Sequence, residues 1–396
     1  MRTLTIFILA GLTMVGPLAI DTYIPTFYAI GHDFGADQTS VRLTLSVFLF
    51  GFVFMMLFYG ALSDAFGRRP VILWSLAAYT AASFGAALAP GLESFLIFRG
   101  LEGLAAGAGS VISRTIIQEQ ATGADAQRVP VYIMMVFGLS MAIGPIIGEG
   151  LHATLGWRSI FWALGLFGAL MFLACYSLLP ESLAAGPRRR FHLKTLVTDY
   201  RRMLKHPQFL WLVLSFGIAF NGFALYARLA ANIVATCLHL PEVVFAGLFI
   251  PLARGIMIAV TFSTRAVNRI SPARLLRIGY FIMVLASMLS IIFNYVTGAI
   301  ALWALLPLIF YAIGLAVATL ANTNMKLDFF PDNRSVASSL QSVVQTLVFA
   351  IASGLVAPFL FDSVIKLAGG TLATFGLGLY CLVLGRKNRP TAVLAG

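Results

Sequence analysis

The chain has 396 residues, of which 60% are hydrophobic and only 11% are charged, and its mean hydropathy is +0.91. Soluble domains carry about 25% charged residues, so this composition excludes a soluble globular protein and indicates an integral membrane protein. The formal net charge of +12 requires no nucleic-acid partner, because basic residues also gather in cytoplasmic loops and contact anionic lipid there.

Twelve apolar stretches of the sequence are each long enough to cross about 30 Å of hydrocarbon as a helix. They lack the alternating pattern of membrane β-strands. The first stretch has no small-residue cleavage site, so we interpret it as a retained span and not as a signal peptide. The predicted spans are 4–30, 40–62, 70–89, 93–119, 127–151, 157–180, 207–235, 241–264, 272–297, 300–325, 334–361 and 365–385.

A polar, basic segment rich in proline and glycine occupies residues 181–206. It predicts a cytoplasmic linker between an N-terminal six-helix half, 1–180, and a C-terminal six-helix half, 207–396, which ends in a short tail. Within 193–205 the apolar residues recur at helical spacing opposite basic ones, which suits a helix lying on the inner membrane surface. A solvated tether is the alternative.

The basic residues also predict an orientation for the chain in the membrane. Most of the 27 Lys and Arg fall in loops that would share one side of the membrane with residue 1. Basic residues favour the cytoplasmic side, so we expect both termini to be cytoplasmic.

Cysteine and histidine give no sign of a metal site or a disulfide framework. Cys175, Cys237 and Cys381 lie in or at the ends of separate predicted spans, and the five histidines form no metal-binding pair at close spacing. We therefore expect no metal, no cofactor and no catalytic residues.

A charged loop after the second predicted span has a counterpart in the second half. Asp64 and Arg68 are four residues apart, and so are Arg265 and Arg269 about half the chain later. This recurrence suggests two parallel repeats with substrate handled between them. The first loop would then act as a conformational latch that forms in one state and opens in the other. Two ordinary loops with cytoplasmic positive charge are the alternative.

Three motifs resemble those of the major facilitator superfamily. GALSDAFGRRP resembles the signature of the loop between spans 2 and 3, with matches at Gly60, Leu62, Asp64, Gly67, Arg68 and Arg69. FRGLEGLAAG resembles the span 4 motif at Arg99 and Gly103. GLSMAIGPIIGEG resembles the antiporter motif of span 5 at Gly138, Gly144, Pro145, Gly148 and Gly150. PLAIDTYIPTF and ASSLQSVVQ are similar, more narrowly, to the Bcr/CflA drug:proton antiporters.

The resemblance implies an all-α polytopic fold of twelve transmembrane helices in two six-helix halves. It also implies a monomer in the bacterial cytoplasmic membrane that exports drugs or other small molecules in exchange for protons, and not an enzyme. Glu102, Glu149, Arg228 and Arg254 depart from the usual family residues and leave the substrate open. A carrier of one metabolite, such as an anion, is the alternative; a channel or receptor is disfavoured because no filter loop is present.

Charged residues inside predicted spans are the candidates for proton coupling, since such residues normally face a cavity or a partner. Asp21 lies four residues before Pro25, whose missing N–H leaves the carbonyl of residue 21 without its helical donor. We expect Asp21 to bind the coupling proton and Arg99 to modulate its proton affinity. Glu102 is the rival proton carrier, and a permanently paired, structural Asp21 is a further alternative.

The remaining candidates concern the seal and the cavity. The glycines from Gly138 to Gly150 suit a pliable seal against proton leak, although a simple packing face is the alternative. Amides in hydrocarbon need partners, and aromatic or basic residues in spans suit a drug cavity. Core packing or lipid contact is the alternative for the aromatic residues, and snorkelling to the interface is the alternative for Arg228. The cavity candidates are Asn221, Tyr226, Arg228, Arg254, Tyr311, Asn322 and Asn324.

Overall fold

The computed structural model describes residues 3–120, 125–183, 191–236, 255, 258–259, 270–297, 306–327, 329–330, 333–351, 376 and 378. Throughout these residues the chain is helical, with turns between the helices and no strand. The predicted all-α fold is therefore confirmed. The helices are α1 (Thr3–Asp21), α2 (Phe27–Phe34), α3 (Gln38–Phe66), α4 (Arg68–Ala87), α5 (Leu92–Gln120), α6 (Asp125–Leu155), α7 (Arg158–Leu178), α8 (Leu193–Leu204), α9 (Pro207–Thr236), α10 (Pro272–Thr297), α11 (Leu306–Leu327) and α12 (Arg334–Ile351).

Many of these helices are long and apolar enough to cross a bilayer. Among the described residues six candidate spans satisfy both criteria, and α8 with α9 adds a seventh if this bent pair is counted as one span. Most residues of the predicted spans 241–264 and 365–385 lie outside the described residues. The six candidates are Leu4–Phe34, Gln38–Phe66, Arg68–Ala87, Leu92–Ile117, Arg158–Leu178 and Pro272–Ile292.

The first span is broken where the sequence predicts one continuous stretch. Helix α1 ends at Asp21, and a 3₁₀ turn over Ile24–Thr26 leads into α2. Pro25 offers no N–H to continue the helical ladder. The hydroxyl groups of Thr22 and Thr26 donate to the carbonyls of Leu18 at 2.6 Å and Tyr23 at 2.7 Å, which satisfies backbone acceptors at the break.

Side-chain capping defines the start of α3. Asp37 precedes the helix in an extended conformation, and its carboxylate accepts a hydrogen bond from the Thr39 N–H at 3.2 Å. The Ser40 hydroxyl donates to the same carboxylate. These bonds, first that from Ser40, lower the pKa of Asp37 below its ordinary value, because they stabilise the charged form. Asp37 is thus a charged N-cap.

The chain divides into two compact units. The first comprises Met1–Leu193 with Ser338–Val343, and the second comprises Lys194–Ala337 with Val344–Gly396. In the first unit α5 packs closely against α3 and also against α1 and α4. A methyl group on Gly103 would overlap the backbone carbonyl of Phe48 on α3. Glycine is therefore required where these two helices meet.

The second unit contains a similar close approach between α10 and α11. A methyl group added to Gly279 would lie 2.7 Å from the carbonyl oxygen of Gly314, and one on Gly314 would lie 2.7 Å from that of Gly279. Helix α9 also packs against α11. Each unit is thus assembled partly by small residues that allow two backbones to touch.

Candidate functional site

A fully buried ion pair occupies the interior of the first unit. Arg99 and Glu102 lie three residues apart on α5 and therefore share one face of the helix. Arg99 Nη1 lies 2.6 Å from Glu102 Oε2, and neither side chain has any exposed surface. The Ser83 hydroxyl on α4 donates to the other carboxylate oxygen at 2.9 Å. Both oxygens of Glu102 are thus engaged, as burial of a charge requires.

Aromatic rings enclose the Arg99 guanidinium on several sides. Its central carbon lies 4.3 Å from the ring centroid of Tyr23, 4.4 Å from that of Phe48 and 5.5 Å from that of Phe161. Arg99 Nη2 also donates to the carbonyl of Ala19 at 3.3 Å. The rings attract the cation through their negative faces, while they shield it from water.

Asp21, at the end of α1, packs closely against a segment of α6. Asp21 is 2% exposed and is the last residue of α1. A methyl group on Gly144 would lie 2.8 Å from Asp21 Cβ, and one on Gly148 would overlap the carbonyl oxygen of Thr22. Two glycines of the antiporter motif therefore let α6 approach the backbone at Asp21.

The other residues of that motif are placed differently. Pro145 is exposed, and a methyl group on Gly150 would meet nothing within 4 Å. Gly138 also lies on α6. The motif thus has a packed face toward α1, made by Gly144 and Gly148, and an exposed face.

The loop between α3 and α4 consists of a single glycine with charged neighbours. Gly67 has a φ of 99°, a conformation that other residues adopt only with strain. Beyond it, Arg68 Nη1 lies 2.5 Å from Asp64 Oδ1, and Nη2 lies 2.7 Å from Glu119 Oε1 on α5. The Arg68 side chain is only 2% exposed. The predicted pair of Asp64 and Arg68 is formed, and Glu119 joins it.

A second carboxylate covers the first turn of α4. Glu181 accepts hydrogen bonds from the backbone N–H groups of Arg68 at 3.0 Å and Arg69 at 3.2 Å. A carboxylate is favourable at a helix N-terminus, where the N–H groups carry partial positive charge. Arg69 Nη2 donates to the Tyr176 carbonyl at 2.5 Å.

Gly60, the first residue of the motif, donates its N–H to Ser339 Oγ at 3.1 Å.

The cavity candidates that the structure describes are buried in helix packing of the second unit. The Asn221 amide donates to the carbonyls of Gly217 at 2.7 Å and Gln345 at 2.9 Å. Asn322 donates to Leu212 O at 3.2 Å, and Tyr311 to Ala219 O at 2.7 Å. Within the described part of the chain, the amide oxygens of Asn221 and Asn322 have no hydrogen-bond partner.

Several predicted cavity residues fall outside this description. Arg254 lies outside the described residues, as do Arg265 and Arg269 of the repeated loop. Tyr226 and Arg228 lie on α9 and Asn324 lies on α11, but their side chains are outside the described part of the structure.

Sequence reasoning missed several residues of these clusters. Tyr23 stands two residues after Asp21, and a polar aromatic residue so close to an intramembrane charge was a usable signal. Ser83, Glu119 and Glu181 gave no local signal, because their contacts join positions at least 19 residues apart in sequence. Only the folded helices bring these residues together.

The family model described as Major Facilitator Superfamily matches residues 8–353. The chain belongs to this superfamily. It is 25% identical over 367 residues to the bicyclomycin resistance protein homolog of Haemophilus influenzae, and the match covers 90% of each chain. It is also 25% identical over 345 residues to the multidrug resistance protein MdtL of Shewanella oneidensis, covering 86% of this chain and 85% of that protein.

A solved structure of the superfamily shows the same fold. The proton:xylose symporter XylE superposes with a TM-score of 0.69 at 17% identity, covering 98% of this chain and 97% of that chain. The predicted superfamily fold and the likeness to the Bcr/CflA proteins are therefore confirmed. The chain is a multi-pass membrane transporter and not an enzyme, and it acts on small molecules as the superfamily does.

Proposed function

We propose that this transporter exports drugs and other xenobiotics across the bacterial cytoplasmic membrane in exchange for protons. Relatives over most of the chain are named for bicyclomycin resistance and multidrug resistance, which supports export of foreign compounds. The basic loops support a cytoplasmic location of both termini. We further propose that the protein works as a monomer and needs no cofactor.

The buried charge cluster of the first unit carries this proposal. A charged side chain in the centre of a bilayer costs about 2.5–3.5 kcal/mol on insertion scales, so three such groups require a function or a strong structural reason. Arg99 and Glu102 neutralise each other at 2.6 Å. Asp21 adds a third ionisable group that is 2% exposed. A proton on Asp21 keeps this cluster electrically neutral.

Asp21 is the proton site in this mechanism, and Arg99 sets its proton affinity. Arg99 donates to the carbonyl of Ala19 and stacks on Tyr23, so it is held by residues on both sides of Asp21. A shift of α1 against α5 would alter the field of Arg99 at Asp21. One proton moving through about 100 mV supplies about 2.3 kcal/mol, enough for a roughly fiftyfold gradient of a neutral substrate.

The close contact between α6 and α1 supports a role for the antiporter motif as a seal. Gly144 and Gly148 bring the α6 backbone against Asp21 and Thr22. Such packing leaves little room for a water chain to the carboxyl group. We propose that this segment limits proton leak around Asp21 while the substrate site changes sides.

Alternating access in this proposal uses two six-helix halves, 1–180 and 207–396, joined by the linker 181–206. The Arg68 cluster with Asp64 and Glu119 serves as the latch that stabilises one conformation. The substrate cavity in this proposal draws on Asn221, Tyr311 and Asn322, whose side chains are buried in the second unit. Tyr226, Arg228, Arg254 and Asn324 remain sequence-based candidates for the same cavity.

Transport by purified protein in liposomes under an imposed pH gradient tests the proposal, with a panel of drugs as substrates. We expect Asp21→Asn to lose uphill transport while it retains substrate binding, and wild-type protein to release protons when substrate binds. Asp33→Asn is the matched control, because Asp33 is 44% exposed, and it should transport normally. Uphill transport that survives in Asp21→Asn but vanishes in Glu102→Gln would assign the proton to Glu102 instead.

A further inference from the structure

A groove on the surface of the first unit lies between three of its helices. It is lined by residues of α3 between Met55 and Phe66, of α4 between Val71 and Ala82, and of α5 between Phe98 and Ala105. Its volume is about 600 Å³. Helices α3 and α4 each pack against α5 more extensively than against each other. The two helices therefore leave a space between them, and α5 forms its floor.

The lining of this groove is apolar. Among its residues, all of which the structure describes, none is charged, and the hydroxyl groups are those of Tyr59 and Ser75. The Tyr59 hydroxyl donates to the carbonyl of Leu104 at 2.6 Å and accepts a hydrogen bond from the Ser75 hydroxyl at 2.8 Å. Because both hydroxyl groups have partners within the protein, a ligand without hydrogen-bonding groups leaves neither of them unpaired.

The groove is open to the surroundings of the first unit. Trp74, Phe66 and Leu101 line it and are 60%, 47% and 48% exposed. Helices α3, α4 and α5 each contain a candidate membrane span. Exposed apolar surface on such helices is favourable in hydrocarbon and unfavourable in water. The groove therefore faces lipid.

The position and length of the groove match one leaflet of a bilayer. Its first residue on α4, Val71, lies about one turn beyond Arg68, which pairs with Asp64 and Glu119. Charged groups at a helix end belong near the membrane surface. From Val71 to Ala82 a helix advances about 16 Å at about 1.5 Å per residue, and half of the hydrocarbon core measures about 15 Å. The groove thus extends from the membrane surface to the midplane.

The side chains along the groove change with this depth. Phe66 and Trp74, near the membrane surface, pack edge-on with their rings 5.8 Å apart. Tryptophan is favoured at that level because its ring is apolar and its N–H is polar. Deeper in the bilayer, α4 lines the groove with the small side chains of Ala78, Ala81 and Ala82. The groove therefore has room for a ligand at the depth of the acyl chains.

We propose that this groove binds one acyl chain of a phospholipid from the leaflet that borders the Arg68 cluster. The chain is apolar like the lining, it extends through the same half of the bilayer, and it needs no hydrogen bond from Tyr59 or Ser75. A polar ligand would lose hydrogen bonds that this lining does not replace. The bound chain fills the space between α3 and α4 and contacts both helices.

Photoreactive phospholipids test the site in the complete protein. Two phosphatidylethanolamine probes carry a diazirine in one acyl chain, the first beside the glycerol ester and the second at the end of the chain. The protein is loaded in vesicles, extracted and washed in a mild detergent to remove loosely held lipid, and then irradiated. We expect the first probe to label Phe66 and Trp74, and the second to label Ala82 and Phe98. Phe50 on α3 is 74% exposed and lies outside the groove, so it should stay unlabelled after washing.

Two neighbouring alanines of α4 provide a matched pair of variants. Ala78 lines the groove, whereas Ala77 is also exposed but is not part of the lining. Ala78→Phe places a ring in the path of the chain, so it should lose labelling at Ala82 by the second probe. Ala77→Phe should keep the wild-type labelling. Ala81→Phe blocks the groove at a second position, and thermal unfolding in detergent shows which variants are folded.

Competition identifies the chemical class of the ligand. An unlabelled phospholipid with full-length chains should reduce labelling of the wild type, and a short-chain phospholipid should not. Displacement by hydrophobic drugs but not by full-length phospholipid would assign the groove to drugs and overturn the proposal.

Three further results would also contradict an acyl-chain site. They are equal labelling of Phe50 and the groove after washing, no labelling at Ala82 in the wild type, and unchanged labelling at Ala82 in folded groove-filling variants. The measurement uses neither a transported substrate nor a pH gradient, and it holds for either orientation of the chain in the membrane. Its failure would therefore leave the proposed transport function unaffected.

Discussion

Two arginine–carboxylate pairs in the first unit have similar chemistry and opposite surroundings. Arg99 and Glu102 have no exposed surface, whereas Arg158 and Asp33 are 40% and 44% exposed. Each guanidinium also stacks on an aromatic ring at 4.3 Å, Arg99 on Tyr23 and Arg158 on Trp157. Burial is therefore the main difference between them.

Burial changes what each pair contributes. Water can solvate Asp33 if its partner is lost, and exposed ion pairs contribute only about 0–1 kcal/mol. Glu102 has no access to water, so loss of Arg99 leaves an unpaired charge in a low-dielectric interior at a cost of about 3–5 kcal/mol. The buried pair adds little stability, but neither residue can be replaced alone without a large cost, which suits a pair kept for function.

The largest effect is expected for Arg99→Ala. It removes the partner of Glu102 and leaves a cavity among three aromatic rings, so we expect a loss of about 3–5 kcal/mol in unfolding free energy. Thermal unfolding in a mild detergent measures this loss. The double variant Arg99→Met/Glu102→Leu removes both charges and should recover most of the stability while transport stays absent.

That double variant also separates structure from function. If it transported drugs uphill at the wild-type rate, the buried pair would be a packing feature only, and the coupling role assigned to Arg99 would be wrong.

Helix α6 extends the comparison to uncharged residues, because it also has a packed and an open face. Gly148→Ala places a methyl group on the carbonyl of Thr22, and such overpacking costs about 1–3 kcal/mol. We expect reduced stability and faster proton leak in liposomes loaded with a pH-sensitive dye. Gly150→Ala is the control, since its methyl group meets no atom within 4 Å. Equal leak in both variants would contradict the role of α6 as a seal.

The Arg68 cluster is partly buried, so its exposure lies between that of the Arg99–Glu102 pair and that of the Arg158–Asp33 pair. Arg68→Ala removes contacts to Asp64 and Glu119, which are 20% and 29% exposed, so a moderate stability loss of about 1–2 kcal/mol is expected. We expect a slower transport cycle with substrate affinity within a few-fold of wild type. Arg68→Lys keeps the charge but cannot contact both carboxylates through a planar guanidinium. Its stability and transport rate should therefore lie between those of wild type and Arg68→Ala. Loss of binding in a folded protein would contradict a latch.

The sequence was sufficient to predict the helical fold, since its apolar stretches are long enough to cross a membrane as helices. It also located Asp21, Arg99 and Glu102, because charge inside an apolar span stands out locally. It did not show the break after Asp21 in detail, although Pro25 gave the reason for it. The start of α3 at Gln38, two residues before the predicted one, reflects capping by Asp37.

Several partners of the charged residues could not be predicted, because contacts such as Ser83 with Glu102 and Arg68 with Glu119 join two helices. Sequence reasoning expected Arg99 to modulate Asp21, and the structure pairs Arg99 with Glu102 on the same helix. The i to i+3 spacing was visible in the sequence, but the choice between two carboxylates depends on side-chain packing. Ser83 and Phe161 entered the cluster for the same reason, through helix contacts without a sequence signal.

The smallest effect is expected for Arg158→Gln, and it is the strictest test of the comparison. Water and dissolved ions replace the lost partner of Asp33, so the change in unfolding free energy should stay below about 1 kcal/mol. Trp157 also donates its indole N–H to Asp33 at 3.2 Å, which keeps one hydrogen bond to the carboxylate in the variant. Transport should remain at the wild-type rate.

Salt distinguishes the two pairs further. Exposed charges are screened within about 8–10 Å at ordinary ionic strength, so the small cost of Arg158→Gln should shrink as salt is added. The cost of Arg99→Ala should not change, because ions cannot enter the space around Glu102. Unfolding of both variants at low and high salt measures this difference. If Arg158→Gln destabilised the protein as much as Arg99→Ala, burial would not be the property that separates these two pairs.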